Sequence, residues 1–373
     1  MHQTARTREE VVSLIAELER RSKTAKDIVM PANRLEVVTN PAGTNGDRIV
    51  AILPAIGDAV TPLGLTPTAH SQLAAKLGIP KPYYDRMLHD HPSLLVENVN
   101  SWADLQQGRW MLRILDDTLR AFLSDRYRQL DNYDLAFTTL AIANERGVEI
   151  DSVTLTNDRF EMRLIHPEWR EEIDLRKASG SARTGGVGGT SVLIPGCYVR
   201  NSETGRGGLS VHPFIRDLVC LNGMVGEANF GRIHLGEQLT EGSYLSDETR
   251  KQKDAVIWSE VRDLVNATFD RDRFRTLIDE MTGTAKQELL DPVEAVNAVV
   301  TNYGMTDEDR QAILNQLISP SHDRDPGRTV FGLISAVTER AKAYDDPERR
   351  TDFEEAGAEL IRKGRELVEV RVR

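Results

Sequence analysis

The feature of the sequence that most constrains the fold is a change in its hydrophobic pattern near residue 245. Before this point, short apolar runs alternate with Pro and Gly breaks, a pattern typical of β-strands joined by turns. After it, apolar positions recur at helical spacing beneath charged outer faces in residues 247–287, 291–302, 306–318 and 327–345. The pattern predicts an α+β fold with an antiparallel-sheet-rich central domain and packed helices, followed by an all-helical C-terminal region.

Three regions are expected along the 373 residues. Residues 1–60 hold an N-terminal helix, from Glu9 to about Ser22, and short strands. Residues 61–240 hold the α+β core, and residues 241–373 hold the helical C-terminal region. A chain of this length corresponds to about two domains.

Turn and cap signals place several elements within the α+β core. Residues 148–166 alternate apolar and polar positions around the break TNDR, which predicts a β-hairpin. The run SETGRGG at 202–208 predicts a second hairpin turn. Asn132 or Asp131 can cap a helix that Gly147 ends.

Residues 66–88 have two interpretations. Thr68 can cap a first helix, Gly78 ends it, and Pro80 or Pro82 begins a second. A helix-turn-helix has this pattern, and its second helix offers Arg, Asn or Gln to base edges. A plain helical hairpin is favoured, because the second helix here carries only part of that set of side chains.

Composition excludes several classes of protein. The net charge of −11 argues against a uniformly basic nucleic-acid binder, and two cysteines, Cys197 and Cys220, cannot frame a disulfide scaffold. No apolar run approaches the ~20 residues of a transmembrane helix, and the N-terminus lacks the apolar stretch of a secretory signal. We therefore expect a cytoplasmic protein with no membrane partner.

No recognisable catalytic or metal-binding motif is present in the sequence. The run RTGGVGGTS lacks the Lys of a P-loop, and no strand and helix flank it as in a dinucleotide fingerprint. The eight His residues do not cluster. The two cysteines are too far apart in sequence for a C-x-x-C metal site, so we expect both to be small buried apolar side chains. We predict that the protein is not an enzyme and holds no cofactor or metal.

The distribution of charge points to an anionic partner. Residues 176–216 contain six Arg or Lys and one acid, Glu203, a net charge of +5 in a Gly-rich stretch. A local basic stripe matters more to an anion than the bulk charge does. We expect residues 179–189, with Lys177 and Arg183, to form a mobile loop that closes on a polyanion.

A second basic segment, SDRYRQLDN, places Tyr127 between Arg126 and Arg128. Proteins that bind single strands combine guanidinium groups for phosphates with aromatic rings for bases. A plain turn in which Arg126 pairs with Asp125 or Asp131 is equally consistent with this segment.

Several segments together resemble one known family. LRAFLSDRYRQLDN (119–132), RNSETGRGGLSV, RDLVCLNGM (216–224) and LAAKLGIPKPYYDRM look like the uncharacterised phage- and plasmid-borne family filed as "domain of unknown function nine-three-two", over roughly residues 60–240. Its members occur on bacteriophages, prophages and conjugative plasmids, so the resemblance implies phage or plasmid DNA metabolism in a bacterial cell. The strand-rich middle preceded by a helix is also similar in outline to the ring-forming single-strand annealing proteins of phages.

The leading hypothesis is a DNA-binding accessory protein of a mobile element, with single-stranded DNA binding and annealing in recombination as its role. The DNA-binding side chains would be Arg126, Arg128, Lys177, Arg183, Arg200, Arg206 and Arg216, with Tyr127 and Tyr198 stacking on bases. An apolar surface on the helices of residues 245–345 would join the subunits of a homo-oligomer. The alternative is a non-enzymatic interaction protein, an inhibitor of host defence or a structural component, which acts through the acidic helical region.

Overall fold

A computed structural model describes residues 3–43, 48–52, 62–174, 190–217, 223–225, 247–319, 327–344 and 347–372. Within these ranges the protein is an α+β fold with two large sheets, so the predicted fold class is confirmed. No helix in the described ranges is both long enough and apolar enough to cross a membrane.

Strands and helices are mixed in the first part of the chain, and helices dominate after residue 247. The strands are β1 (Gln3–Ala5), β2 (Lys26–Pro31), β3 (Glu36–Thr39), β4 (Ile49–Ile52), β5 (Pro62–Leu65), β6 (Arg109–Leu115), β7 (Thr118–Ser124), β8 (Glu149–Leu155), β9 (Phe160–Ile165), β10 (Glu171–Asp174), β11 (Thr190–Asn201), β12 (Ser210–Asp217), β13 (Gly223–Val225), β14 (Gln287–Leu289) and β15 (Val370–Val372). The helices are α1 (Arg8–Thr24), α2 (Pro67–Lys76), α3 (Lys81–Asp90), α4 (Pro92–Asp104), α5 (Asn132–Arg146), α6 (Asp247–Thr268), α7 (Arg271–Thr284), α8 (Pro292–Asn302), α9 (Asp307–Ile318), α10 (Val330–Arg340) and α11 (Pro347–Leu367).

The first sheet has six strands in the order β2-β6-β7-β5-β4-β3. Its pairs are antiparallel except β5 and β7, which run parallel because the helices α2 to α4 and strand β6 lie between them in the chain. Leu73 of α2, Tyr84 of α3 and Leu95 of α4 are fully buried in the same core as Leu112 and Phe122 of the sheet. These three helices therefore cover one face of the sheet.

Residues 66–88 form two helices, as both interpretations of the sequence required, but the first cap is Thr66 and not Thr68. The hydroxyl of Thr66 accepts a hydrogen bond from the backbone N–H of Ala69 at 3.1 Å. Pro67 then occupies the first helical position, where its missing N–H costs nothing. Thr68 lies inside the first turn of the helix and is buried.

The second sheet is antiparallel throughout, in the order β1-β8-β9-β11-β12-β13, and β10 also pairs with β11. Helices α1, α5 and α6 share an apolar core with β8, β9, β11 and β12. The predicted turns at 156–159 and 202–208 connect β8 to β9 and β11 to β12, so both hairpin predictions are confirmed. Gly147 ends α5 at a positive φ of 65°, as its position in the sequence indicated.

The region after residue 247 contributes to two cores. Helix α6 packs beneath the second sheet with α1 and α5, whereas α7 to α11 enclose a separate core with Ile173, Leu193 and Ile215 of the sheet. The predicted helical segment 247–287 is divided at Asp270, whose carboxylate caps α7 by accepting from the N–H of Arg273 at 2.9 Å. The region is also not wholly helical, because β14 pairs with β15.

A buried carboxylate ties the C-terminal helices together. Asp309 is fully buried in the first turn of α9 and accepts hydrogen bonds from Thr306 N–H (2.9 Å), Arg340 Nε (2.8 Å) and Tyr344 Oη (2.5 Å). Burial by itself would raise the pKa of Asp309, but these hydrogen bonds outweigh it and hold the pKa well below its usual range. The carboxylate is therefore charged at neutral pH.

We expect Asp309→Asn to lower the free energy of unfolding at pH 7 by about 2 kcal/mol, because hydrogen bonds to a charged group become hydrogen bonds to a neutral amide. The folded-state pKa lies below the unfolded one, so this contribution is present above about pH 4 and declines as the pH falls through the folded-state pKa. Urea unfolding at pH 7 and pH 3 measures both effects. Asp307→Asn, at a side chain that is 95 % exposed on the same turn, is the control and should change little. Equal stabilities of the Asp309 variant and the wild type would contradict this assignment.

Candidate functional site

The two sheets meet at a buried polar junction centred on Glu203, in the turn between β11 and β12. Its carboxylate accepts from Arg120 of β7 at 2.8 Å and from the backbone N–H of Asn132 at 2.9 Å. Its backbone carbonyl accepts from Arg113 of β6 at 3.1 Å. The side chains of Arg113 and Arg120 are only 4 % and 6 % exposed, so the charges meet away from water.

The burial of the Glu203 carboxylate is offset by its partners. Burial alone would raise the pKa of Glu203, but the charges of Arg120 and Arg113 and the N–H of Asn132 lower it below its ordinary value. Arg113 also binds Asp27 and Asp131, at 2.9 Å each. A buried ion pair of this kind is retained only where its hydrogen bonds are complete, and here they fix the turn against the first sheet.

Two basic segments that are far apart in sequence come together at this junction. The hydroxyl of Tyr127 donates to the backbone carbonyl of Ser202 at 2.8 Å, across 75 residues of sequence. Gly205, at φ 74°, lies so close that a Cβ there would come within 2.7 Å of Leu123. Arg126 and Arg206, next to these contacts, are both exposed.

One face of α2 borders the same surface. Thr68, Gln72 and Lys76 are spaced by four residues, so they lie in one row along the helix. The Thr68 hydroxyl lies 3.4 Å from Nε of Arg206, and the Gln72 amide donates to the carbonyl of Thr204 at 2.7 Å. The row therefore extends from the turn that holds Arg206 toward the turn that holds Arg126.

Lys76 is a basic residue that the sequence analysis did not select. Its ammonium nitrogen lies 5.4 Å from the centre of the Trp110 ring, and burial lowers its pKa while the charge of Asp125 opposes that shift. Nothing in the segment 66–88 marks Lys76, because its approach to Asp125, the residue before Arg126, exists only in the folded chain. We call Lys76, Arg126 and Arg206 the basic loop surface.

Tyr198, predicted to stack on a base, lies instead at the centre of a closed cluster. It is fully buried, and the guanidinium groups of Arg163 (5.2 Å) and Arg200 (4.8 Å) lie against its ring. The ring of His212 stacks on it at 4.7 Å between centroids. Glu161 accepts hydrogen bonds from Arg163 at 2.7 Å and from Arg200 at 2.8 Å.

Helix α11 covers this cluster with two carboxylates. Glu354 binds both terminal nitrogens of Arg163, at 3.0 and 3.2 Å, and Glu355 accepts from the Tyr198 hydroxyl at 3.4 Å. Burial raises the pKa of Tyr198 and lowers that of His212 to about 4, so both are neutral at pH 7. Because α11 covers this face of the sheet, Tyr198 and its neighbouring arginines have no surface for DNA in this arrangement.

The remaining predicted residues are distributed over the molecule. Arg128 pairs with Asp254 of α6 at 3.0 Å, and Arg216 makes a two-point ion pair with Asp151 of β8. Cys197 is fully buried, and burial raises the pKa of its thiol. The predictions for Lys177, Arg183, the Gly-rich loop 179–189 and Cys220 fall outside the described residues.

Comparisons with known proteins found no match to this chain. No protein-family model matches the chain, and neither a curated protein nor a solved structure is similar to it. In the described part of the chain, no group of three or more His, Cys, Asp or Glu side chains is placed to hold a metal ion. The chemistry of the site is therefore argued from its geometry.

Arg200 is buried and Arg206 is exposed, so their replacement by Ala should differ in its effect on stability. Arg200→Ala leaves the buried Glu161 with one cation fewer, so it should lower the free energy of unfolding by about 3 kcal/mol. Arg206→Ala, at an exposed turn, should change it by less than about 0.5 kcal/mol. Chemical denaturation of both variants measures this difference. Similar stabilities would show that Arg200 is not held in a closed cluster.

The junction predicts a local effect of Glu203→Gln. The amide keeps the shape of the side chain but removes the charge that faces Arg120 and Arg113. We expect about 3 kcal/mol of destabilisation and faster hydrogen exchange in peptides from both 124–132 and 202–208, because the two segments share this contact. Peptides from α9 provide the internal control. Exchange that rises in only one of the two segments would contradict their coupling through Glu203.

Proposed function

We propose that the protein binds single-stranded DNA through the basic loop surface, as a DNA-binding accessory protein of a phage or plasmid that acts in recombination. The observation that carries this proposal is the convergence of two basic segments at the contact between Tyr127 and Ser202. Each segment alone has a plain structural explanation. Their meeting puts Arg126 and Arg206 on neighbouring exposed turns.

The rigidity of the junction supports this role. Loops held by a firm scaffold commonly carry binding residues, and these turns are fixed by Glu203, Gln72 and Tyr127 through hydrogen bonds of 2.7 to 2.9 Å. Less conformational entropy is then lost when a ligand binds. Exposed guanidinium groups on such turns suit phosphate oxygens, which they bind in a bidentate manner.

The chemistry of the surface favours the backbone of DNA over its bases. The Tyr127 hydroxyl is engaged by Ser202, and Tyr198 is fully buried, so base stacking on these two rings is not part of the proposal. Contacts made mainly to phosphates are independent of sequence and sensitive to salt. They leave base edges free to pair, which is what annealing of two complementary strands requires.

The segments that resemble the phage- and plasmid-borne family include both turns of the basic loop surface, which is why we place the protein in the DNA metabolism of a mobile element.

Exposed apolar side chains at Leu290, Val293 and Ile318 support contacts between copies of the chain in a homo-oligomer, because exposed apolar groups favour association.

Fluorescence anisotropy with a labelled single-stranded oligonucleotide, titrated over a series of salt concentrations, tests this function. The wild type should bind at low salt and weaken steeply as salt rises. Replacing Arg126 and Arg206 together by Ala should weaken binding and reduce the slope of log affinity against log salt by about 1.4, since each phosphate contact on a single strand contributes about 0.7. Arg310→Ala, at a partly exposed residue of α9, is the control and should leave the slope unchanged.

Three outcomes would contradict the proposal. Equal or tighter binding of duplex DNA would overturn the preference for single strands. An unchanged salt slope in the double variant would show that the contacts lie elsewhere. Absence of binding at low salt would favour the alternative in which the acidic helical region contacts a protein partner. Affinity capture with the full chain would then be used to find that partner.

A further inference from the structure

Strand β2 forms one edge of the first sheet, and within the described residues only β6 pairs with it. The opposite edge, β3, is closed by a side chain: the Asn100 amide accepts from the N–H of Val37 and donates to its carbonyl, at 2.9 Å each. The edge strands of the second sheet, β1 and β13, have three residues each, whereas β2 has six. An open edge of this length is able to pair with another strand.

The pairing of β2 with β6 determines which backbone groups face outward. The N–H of Ala32, the residue after β2, donates to the carbonyl of Gly108 at 2.9 Å, so Ala32 directs its backbone groups toward β6. In an antiparallel pair, alternate residues of the strand do the same. The residues between them, Asp27, Val29 and Pro31, therefore direct their backbone groups away from β6. Proline has no N–H to leave unpaired, which suits this position on an edge.

The exposure of these residues agrees with an open edge. The Asp27 side chain is only 18 % exposed because it binds Arg113, yet the residue as a whole is exposed, so its backbone faces solvent. Val29 is 38 % exposed. Its carbonyl is approached by the exposed side chain of Arg109 at 3.5 Å, which is the limit for a hydrogen bond. The edge therefore offers the N–H groups and carbonyls of Asp27 and Val29 to a partner strand.

The charges beside this edge are complementary to each other. Asp27, Val29 and Arg109 share one face of the sheet, because Arg109 is paired with Pro31 and alternate residues of a strand point to the same side. Burial raises the pKa of Asp27 although the charge of Arg113 opposes it, so one cation does not fully offset the burial of this carboxylate. Within the described residues, Arg109 contacts the Val29 carbonyl and no carboxylate. A second, antiparallel copy of β2 brings this arginine and this carboxylate together.

We propose that β2 pairs with β2 of a second copy of this chain, antiparallel across a twofold axis, so that the two first sheets form one continuous sheet. Asp27 of each copy lies opposite Val29 of the other, and the outward N–H groups and carbonyls of both residues are paired. Arg109 of each copy, beside Val29, then reaches Asp27 of the other. A twofold interface needs a patch that is complementary to itself, and this edge provides one. The pairing adds an interface to the homo-oligomer proposed above and does not depend on DNA binding.

Sedimentation velocity over a range of protein concentrations tests this pairing. The wild type should associate reversibly as its concentration rises. Val29→Pro removes an outward N–H and leaves the bonds between β2 and β6 in place, so it should weaken association about tenfold. Arg109→Glu puts like charges beside Asp27 of the other copy and should weaken association by a similar factor. Arg86→Glu makes the same charge change on α3, at a side chain that is 79 % exposed, and as the control it should leave association unchanged.

Hydrogen exchange resolved to single amides locates the contact. In the wild type, exchange at Asp27 and Val29 should slow as the protein concentration rises, because the second copy covers these N–H groups. The amides of Ile28 and Met30 face β6 and should be protected equally at every concentration. Thermal melts confirm that each variant folds. Val29→Pro should bind a short single-stranded oligonucleotide like the wild type, so a failure of this pairing is distinguishable from a failure of DNA binding.

The proposal is overturned if the wild type stays monomeric at every concentration, or if Val29→Pro and Arg109→Glu associate like the wild type. Exchange at Asp27 and Val29 that does not depend on concentration would also overturn it. Equal weakening in Arg86→Glu would do the same, because association would then reflect only the overall charge of the chain. Protection that rises with concentration in α8 and not in β2 would place the contact between copies at α8 instead.

Discussion

The contacts of Glu203 with two buried arginines, one through its carboxylate and one through its backbone carbonyl, hold the two sheets together. Glu203 lies at the tip of the longest hairpin of the second sheet, and Arg113 and Arg120 lie on the adjacent strands β6 and β7 of the first. Removing such charges from water is costly, and the cost is offset only when every donor and acceptor finds a partner. Because the partners come from both sheets, the sheets cannot shift without breaking these contacts. The positions of the two basic turns follow from this constraint.

The same principle accounts for the other buried charges. Glu161 lies between Arg163 and Arg200 on the second sheet, and Asp309 binds Arg340 in the C-terminal helices. In each case the charged group joins elements that are distant in the chain. The basic stretch 176–216 therefore has mixed roles among its described residues: Arg200 and Arg216 pair with carboxylates of neighbouring strands, whereas Arg206 remains exposed. A count of charges along the sequence does not distinguish these roles, because the carboxylates belong to other segments.

A single hairpin contributes to two different surfaces, the basic turn and the floor of a cleft beside α7. The turn between β11 and β12 carries Arg206, and the same strands form the floor of the cleft at Gly196 and Pro213. Polar groups fix the turn, and close apolar contact fixes the floor. The turn exposes a cation, whereas the cleft is lined by cations and carboxylates together, with Arg273 and Arg362 beside Asp272 and Glu280.

Features that depend on near neighbours can be predicted from the sequence. The α+β class, the turns TNDR and SETGRGG and the end of α5 at Gly147 follow from periodicity and from residues that favour turns, which act over a few positions. The burial of Tyr198, the approach of Lys76 to Asp125 and the parallel pairing of β5 with β7 appear only in the folded chain. These outcomes depend on strand register and on which helix covers which face. Both are set by contacts between residues far apart in the chain, which local patterns do not encode.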